Sequence, residues 1–224
     1  MSTRALYVWF MAIALQLILL SPAQENAIKP DLSKIGNTEL WSVHNREVDI
    51  KKEDNRLCVH LDAKPEDGVV WLKDINFVNG TIEADIKGKN LPGQSFVGIA
   101  FKGVDANTYD AVYFRPFNFK SDDPVRKGHG VQYISHPDYT WYKLRETYPE
   151  KYENPVNPVP DPDSFFHVKI VVEKPVIRVY VNDAKEDCLE VKEINDRKGG
   201  WIGFWTGNNS EGTFANLKII PARQ

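Results

Sequence analysis

The sequence predicts an all-β protein, a two-sheet antiparallel jelly-roll sandwich with a long loop insertion. Many short segments alternate between apolar and polar residues or run apolar over strand length, and Gly, Asn, Asp or Pro punctuates most of them. No segment has a sustained helical period. These observations favour a sandwich over an α/β fold, in which helices would alternate with strands.

The predicted strands follow one another along the chain with short turns between most of them. They span residues 56–61, 80–87, 97–101, 111–115, 166–172, 176–181, 200–205 and 214–220. Lys174 and Pro175 indicate a tight hairpin connection between two of them. One or two helical turns are predicted near residues 142–148.

The N-terminus has the features of a secretory signal peptide. Arg4 precedes an apolar stretch over residues 5–20, and Ser21, Pro22 and Ala23 are the small residues that a signal peptidase accepts. A retained membrane anchor is the alternative, but the stretch is shorter than the roughly 20 residues that span a bilayer. We expect a signal peptide over 1–23, a leader segment over 24–40 and the sandwich domain over 41–224. The protein is then exported, periplasmic or extracellular, with no membrane attachment after cleavage.

The charge pattern excludes one class of partner. The formal net charge of the 224-residue chain is -3, and its Lys and Arg residues are scattered singly rather than in blocks. Nucleic-acid-binding proteins concentrate basic residues in a patch or stripe. We therefore predict no nucleic-acid partner.

Two cysteines remain in the mature chain. Cys58 and Cys188 lie in strand-like segments far apart in sequence. In an oxidising compartment they could form a disulfide between an early and a late strand. The alternative is a pair of buried thiols that act as small hydrophobic side chains.

The region 117–164 interrupts the strand rhythm. It is rich in loop formers and proline, and it also carries Tyr139, Trp141, Tyr142, Leu144, Tyr148 and Tyr152. Loops of this length inside a domain are usually functional or disordered, and this aromatic content argues against disorder. We therefore predict that the insertion folds as a cover over one sheet face.

The strand sequences resemble those of the concanavalin A-like lectin/glucanase superfamily. The resemblance is carried by residues 80–85, 96–101, 109–119, 166–172, 176–182, 203–205 and 214–219, and it extends over roughly 41–221. More narrowly, the chain is similar to bacterial secreted domains of the laminin-G-like or 3-keto-disaccharide hydrolase-like kind. The resemblance implies a jelly roll whose concave sheet, with the loops around it, holds carbohydrate.

Strand alternation suggests where a ligand would lie. Tyr113 and Arg115 share one face of their strand, whereas Val112 and Phe114 point the other way and suit the core. We expect Tyr113 and Arg115 to line the open face. Aromatic rings stack on the apolar face of a sugar, and Arg side chains bind its hydroxyls or a carboxylate.

Further ligand-binding candidates come from the insertion and its edges. Gln132 and His136 would join the same polar surface, although Ile134 lies between them on that face. Asn118 offers an amide just past the strand end, and Trp141 and Arg145 could close over the ligand.

Each of these candidates also has a structural interpretation. Arg115 could pair with Glu83, Asp85 or Glu153, and Tyr113 and Trp141 could fill the seam between loop and sheet. Gln132 could satisfy backbone groups of the loop, and Asn118 could cap a turn.

The evidence for catalysis is weaker. Glu83 and Asp85 share a strand face, but the laminarinase branch of the superfamily needs a third carboxylate, where this chain has Lys87 or Gly88. The resemblance to 3-keto-disaccharide hydrolases implies a different chemistry, with a base beside an acidic C–H. His129, His136, Glu146 and Glu153 are the candidates for that role, although their spacing matches no motif.

A structural Ca²⁺ is a further expectation from the resemblance. Oxygen ligands are available at Asp105, Asn107, Asp110, Asn208 and Asn209, all of which are also ordinary turn formers. No other cofactor is indicated.

The sequence is therefore compatible with three functional hypotheses. The leading one is an exported carbohydrate-binding, lectin-like domain with its ligand under the 117–164 loop. The second is a glycoside-cleaving hydrolase or lyase that uses His and Glu of the insertion. The third is an adhesion module that binds protein.

Overall fold

A computed structural model describes residues 27–223, and the strands of this part of the chain form two seven-stranded antiparallel sheets. This confirms the predicted all-β sandwich. We refer to the sheet that carries the predicted site as the front sheet and to the other as the back sheet.

The front sheet has the strand order β1-β4-β13-β6-β7-β8-β9. Its strands are β1 (Trp41–His44), β4 (Gly68–Phe77), β13 (Gly200–Thr206), β6 (Val97–Gly103), β7 (Tyr109–Phe114), β8 (Val131–His136) and β9 (Glu153–Asn154).

The back sheet has the strand order β12-β11-β10-β5-β14-β3-β2. Its strands are β12 (Leu189–Lys192), β11 (Val176–Val181), β10 (Phe166–Glu173), β5 (Gly80–Lys87), β14 (Gly212–Pro221), β3 (Arg56–Leu61) and β2 (Val48–Glu53). Lys174 and Pro175 join β10 to β11, so the predicted hairpin is confirmed.

The core lies between the two sheets and is built by alternation along the strands. Phe114 of β7 packs edge-on against Phe166 of β10, with ring centroids 5.1 Å apart. Phe204 of β13 stacks on Phe214 of β14 at 4.8 Å. Because successive residues of a strand point to opposite faces, Tyr113 and Trp205 must point out of the sandwich. The site is built on that outer face of the front sheet.

The insertion 117–164 is folded and contributes to the sheet itself. Strand β8 pairs with β7 from Tyr109↔His136 to Phe114↔Val131, and β9 pairs with β8 in turn. Three short helices accompany these strands: α1 (Pro116–Phe119), α2 (Pro124–Gly128) and α3 (Trp141–Thr147). Helix α3 matches the helical turns predicted near 142–148. The insertion thus both widens the front sheet and supplies side chains above its outer face.

Helices α2 and α3 begin at side-chain caps. The Asp123 carboxylate accepts a hydrogen bond from the Val125 amide at 2.9 Å, and Thr140 Oγ1 accepts one from the Lys143 amide at 3.3 Å. Such caps satisfy amides that have no partner in the first helical turn. They fix where each helix begins and hence where its side chains lie.

The described part of the N-terminal segment packs on the sandwich. Ile28 pairs with Ile219 of β14, and a 3₁₀ helix over Leu32–Lys34 leads to Ile35, which is buried with Leu32. The predicted signal peptide, 1–23, lies outside the described residues. Within 27–223 the structure has no helix of the length and apolarity needed to cross a membrane.

The two cysteines are free and buried, so of the two alternatives that the sequence left open, the disulfide between Cys58 and Cys188 is wrong. Cys58 lies on β3 and Cys188 directly precedes β12, and four strands separate β3 from β12 in the back sheet. At a spacing of about 4.8 Å per strand, the two strands are roughly 24 Å apart, far beyond disulfide reach. The alternative interpretation, buried thiols acting as small hydrophobic groups, is the one that the structure supports.

Candidate functional site

A cavity of about 700 Å³ opens on the outer face of the front sheet, and we refer to it as the groove. Its floor comes from strands β7, β8 and β13, and helices α1, α2 and α3 supply the walls. Six of the seven predicted ligand-binding residues line it, namely Tyr113, Arg115, Asn118, His136, Trp141 and Arg145. The seventh, Gln132, lies beneath the floor and is fully buried.

The centre of the floor is aromatic. The rings of Tyr113 and Trp205 are 4.9 Å apart, and Phe96 packs edge-on against Tyr113 at 6.2 Å. Trp205 was not among the predicted site residues, although the same alternation that turns Phe204 inward would have placed it on this face. The Tyr113 and Trp205 rings are tilted by 44° to each other and are only 2% and 3% exposed, so they form the packed apolar base of the groove.

A buried polar network holds the Tyr113 ring in place. The Tyr113 hydroxyl donates to Gln132 Oε1 at 2.8 Å, and Arg115 Nη2 donates to both Tyr113 OH and Gln132 Oε1 at 2.5 Å. Burial raises the pKa of Tyr113 to about 12. Gln132 Nε2 also donates to the Trp141 carbonyl at 3.3 Å, which ties α3 to the floor. Gln132 therefore positions groove residues instead of lining the groove.

Glu153 is the centre of a charge cluster at one end of the groove. Arg145 donates to its two carboxylate oxygens at 2.8 and 2.6 Å, Arg115 Nη1 lies 3.7 Å away, and His129 Nδ1 lies 2.9 Å from Oε2. The Glu153 side chain is only 3% exposed. Of the ion-pair partners considered for Arg115, the structure thus selects Glu153 over Glu83 and Asp85.

The contacts of His129, Glu146 and Glu153 indicate which roles these catalytic candidates can fill. Burial lowers the pKa of His129, and the nearby guanidinium groups of Arg145 and Arg115 lower it further, against the opposing effect of Glu153. Glu153 is committed to cationic partners, so its position favours a structural role. Glu146 is exposed on α3, where its contact raises the pKa of the Tyr142 hydroxyl, and it does not line the groove.

Asp67 and His136 form a second titratable pair at the opposite end of the groove. His136 Nε2 lies 4.0 Å from Asp67 Oδ2, and the His136 ring stacks on Tyr109 with centroids 5.0 Å apart. Tyr109 OH donates to Asp67 Oδ2 at 3.2 Å and accepts from Trp205 Nε1 at 3.0 Å. Burial raises the pKa of Asp67 and lowers that of His136.

The sequence does not single out Asp67, because its side chain contacts residues that are distant in sequence. It ends the turn before β4 and meets Tyr109 across 42 positions of sequence. In the sequence it is an ordinary turn residue after Pro65 and Glu66, with no motif around it.

The groove wall contains both buried and exposed residues, of which Asn118 and Trp141 are examples. Asn118 is buried, and its Nδ2 donates to the His129 carbonyl at 3.2 Å, alongside Arg115 Nη1 at 3.1 Å. It thereby fixes the end of α2. Trp141 is 46% exposed and lines the groove, and the Arg145 guanidinium lies over its ring, 5.2 Å from the centroid.

Glu83 and Asp85 lie on the back sheet, away from the groove. Glu83 pairs with Lys218 at 3.3 Å, and Asp85 pairs with His167 at 2.9 Å and with Arg56 at 3.4 Å. This confirms that they form an ion-paired stripe.

The residues considered for Ca²⁺ do not converge. Trp201 of β13 pairs with Gly103 of β6, and Thr206 pairs with Val97, so Asp105 and Asn107 lie at the opposite end of these strands from Asn208 and Asn209. Asp110 is buried and accepts hydrogen bonds from Arg197 and Asn195, both at 2.7 Å. Among the described residues, no group of three or more His, Cys, Asp or Glu side chains could hold a metal ion.

Comparison with known proteins gives matches at the level of structure. No protein-family model matches the chain, and no curated protein sequence matches it. The carbohydrate-binding module CBM66 from Bacillus subtilis superposes with a TM-score of 0.57 at 14% identity, covering 80% of this chain and 95% of that one. A Bacillus subtilis protein of unknown function with a galectin-like fold has the same TM-score and identity, covering 87% and 93%.

A lumenal domain gives a similar result. The exoplasmic/lumenal domain of VIP36, in a form bound to Ca²⁺ and Man3GlcNAc, has a TM-score of 0.55 at 12% identity and covers 90% of each chain. These likenesses support the concanavalin A-like lectin fold that the sequence suggested. The narrower similarity to laminin-G-like or 3-keto-disaccharide hydrolase-like domains stays a prediction.

Proposed function

We propose that this protein is an exported carbohydrate-binding, lectin-like domain that binds a glycan in the groove under the 117–164 insertion. The observation that carries the proposal is that the groove combines the exposed Trp141 ring with polar side chains at both of its ends. A sugar has an apolar C–H face and a rim of hydroxyls, so it is bound by an accessible aromatic ring together with fixed donors and acceptors.

Several properties of the groove support this proposal. Its volume of about 700 Å³ is in the range of small-molecule sites. The floor side chains are held by hydrogen bonds before any ligand arrives, which reduces the entropy lost on binding. CBM66 and VIP36, which share the fold, are described as a carbohydrate-binding module and as a Man3GlcNAc-bound domain.

The test is a glycan panel with matched variants on α3. Trp141→Ala removes an exposed ring that lines the groove, whereas Tyr142→Ala removes a neighbouring exposed ring that does not line it. We expect Trp141→Ala to weaken the best glycan by about tenfold, the equivalent of roughly 1.4 kcal/mol, and Tyr142→Ala to bind as the wild type does. The proposal fails if the wild-type protein binds no glycan, or if both variants bind as tightly as it does.

Export is part of the same proposal and has its own test. The sequence features of residues 1–23 support it, and the expected result is a secreted or periplasmic protein that begins at Gln24. N-terminal sequencing of the protein recovered from the cell envelope and medium would identify the cleavage site. A full-length chain retained in the cytoplasm would contradict the proposal.

A glycoside-cleaving enzyme is the second candidate, and one observation favours it. Asp67 and His136 line the groove together, with the pKa of the acid raised and that of the base lowered. A carboxyl group whose pKa is raised, beside an imidazole whose pKa is lowered, is an arrangement suited to general acid–base catalysis. Incubation with glycosides and 3-keto-glycosides should then release product in a time-dependent reaction that Asp67→Asn abolishes. Intact substrate after prolonged incubation would eliminate this candidate.

A further inference from the structure

Three arginines line one end of the groove. Arg115 follows β7, Arg126 lies on α2, and Arg145 lies on α3. The Asp67 and His136 pair is at the other end of β7, since Tyr109 pairs with His136 whereas Phe114 pairs with Val131. Five residues of strand separate the ends, so the two groups of charges are roughly 17 Å apart at about 3.4 Å per residue.

The charges at the arginine end do not balance. Arg115 and Arg145 share the single carboxylate of Glu153, and the side chains of Arg115 and Glu153 are only 6% and 3% exposed. Arg126 adds a third positive charge at the rim, and its neighbour Asp123 is 4.0 Å away and largely exposed. Two guanidinium groups around one buried carboxylate leave a net positive charge even when His129 is neutral. Arg115 is nearly inaccessible to solvent, and excess positive charge beside it is stabilised by an anion.

The geometry leaves donors for that anion. Arg145 uses Nε and Nη2 to bind Glu153, so the N–H groups of Nη1 take no part in that pair. The Arg145 side chain is one-third exposed. Its guanidinium lies against the Trp141 ring, which limits its rotation and keeps it at the groove wall. Planar guanidinium donors fixed in this way are suited to carboxylates and other oxyanions.

We propose that the arginine end of the groove binds the acidic group of an anionic saccharide, either the carboxylate of a uronic acid or a sulfate ester, while the sugar ring lies next to the exposed Trp141 ring. This inference rests on the proposed carbohydrate binding and adds the class of glycan. It also assigns Arg126, which the sequence did not single out, to the ligand-binding set.

Matched pairs of oligosaccharides test the proposal with the wild-type protein. One pair is a uronic-acid oligosaccharide and its carboxyl-reduced form, and the other is a sulfated oligosaccharide and its desulfated form. We expect at least one acidic member to bind about tenfold or more tightly than its neutral partner at low salt, with the difference shrinking as the ionic strength rises. The pair that shows the difference identifies which acidic group is recognised.

Charge-removing variants locate the effect in the groove. Arg126→Gln and Arg145→Gln should each cut the preference for the acidic member by about threefold or more, whereas Lys143→Gln, an exposed position of α3 outside the groove, should keep it. Arg126 is exposed and no residue of α2 is buried, so its variant remains informative if Arg145→Gln does not fold.

The outcomes separate this inference from the function on which it rests. Neutral and acidic members that bind equally well would overturn the anionic class and leave carbohydrate binding intact. A preference that survives both arginine variants would overturn the assignment of the site. Absence of binding by every oligosaccharide would overturn both proposals.

Discussion

Glu153 determines the position of two groove arginines, although it does not line the groove itself. It accepts both hydrogen bonds of the Arg145 guanidinium and lies 3.7 Å from Arg115, and it is nearly inaccessible to solvent. The charge of a buried group of this kind is tolerated only because of its partners. The single residue therefore links the stability of the insertion to the shape of the site.

Glu153→Gln should destabilise the protein markedly. The substitution leaves Arg115 and Arg145 without their shared counter-charge, and breaking a buried pair in this way costs roughly 3 kcal/mol. Chemical denaturation would measure the loss of unfolding free energy. Glu146→Gln is the control, because Glu146 is exposed and its removal should change stability by no more than about 0.5 kcal/mol. Equal stability of the two variants would show that the Glu153 cluster is not stabilising.

His167 makes the stability of the folded protein depend on pH, and its contact with Asp85 determines the sign of that dependence. Its hydrogen bond to Asp85, with ring nitrogen and carboxylate oxygen 2.9 Å apart, raises the pKa of His167 in the folded state. A raised pKa means that the protonated form stabilises the fold. This contribution is complete below the unfolded-state pKa of about 6.5 and is lost as pH rises through the higher folded value.

The prediction concerns the difference in unfolding free energy between the wild type and His167→Gln, which both keep the other histidines. His60, His129 and His136 have pKa values lowered by burial, so their effect on stability has the opposite sign and must be subtracted. The stability advantage of the wild type over His167→Gln, measured by denaturation from pH 6 upward, should shrink as pH rises. An advantage that stays constant or grows over this range would contradict the assigned contact.

At the scale of elements, the start of β13 requires glycine. Gly200 has φ of 155°, and a Cβ at this position would lie 2.3 Å from the Gly103 carbonyl oxygen of β6. The pairing of β13 with β6 is irregular between Trp201 and Gly203, directly after this point. The glycine thus allows the close approach of two front-sheet strands where their register shifts.

Gly200→Ala should therefore destabilise the fold by more than about 1 kcal/mol. The positive φ is unfavourable for a residue with a Cβ, and neighbouring backbone atoms occupy the space that the Cβ would need. Gly128→Ala is the matched control, because nothing lies within 4 Å of the Cβ it would add. Thermal unfolding of both variants would measure the difference. A melting temperature of Gly200→Ala at or above that of Gly128→Ala would contradict the predicted strain.

At the scale of the whole molecule, local patterns predicted the faces of the strands but not the contacts between distant segments. Period-two alternation assigned Tyr113 and Arg115 to the outer face, and the structure places them in the groove. Alternation shows to which side of its sheet a residue points, but not which distant residues lie next to it. It therefore could not show that Asp67 contacts Tyr109 or that Glu153 lies between two arginines. Gln132 was predicted on the correct face, but its burial depends on α3, which covers it through the Trp141 carbonyl.

The cysteines show the same limit, because their separation is a property of strand order. Segments that look alike in sequence lie at different places in the back sheet, and four strands stand between β3 and β12. Both thiols are buried, and burial raises both pKa values, that of Cys188 to about 12. Thiolates are the reactive form, so both groups should be poorly reactive in the folded protein even in an oxidising compartment.

The protein should therefore behave as an unbridged chain. Its melting temperature should be the same with and without a thiol reductant, because no intrachain disulfide constrains the unfolded state. Alkylation followed by mass spectrometry should modify neither thiol quickly under native conditions and both in denaturant without prior reduction. Labelling in denaturant that appears only after reduction would show that Cys58 and Cys188 are oxidised, and would require a strand arrangement in the back sheet different from the one described.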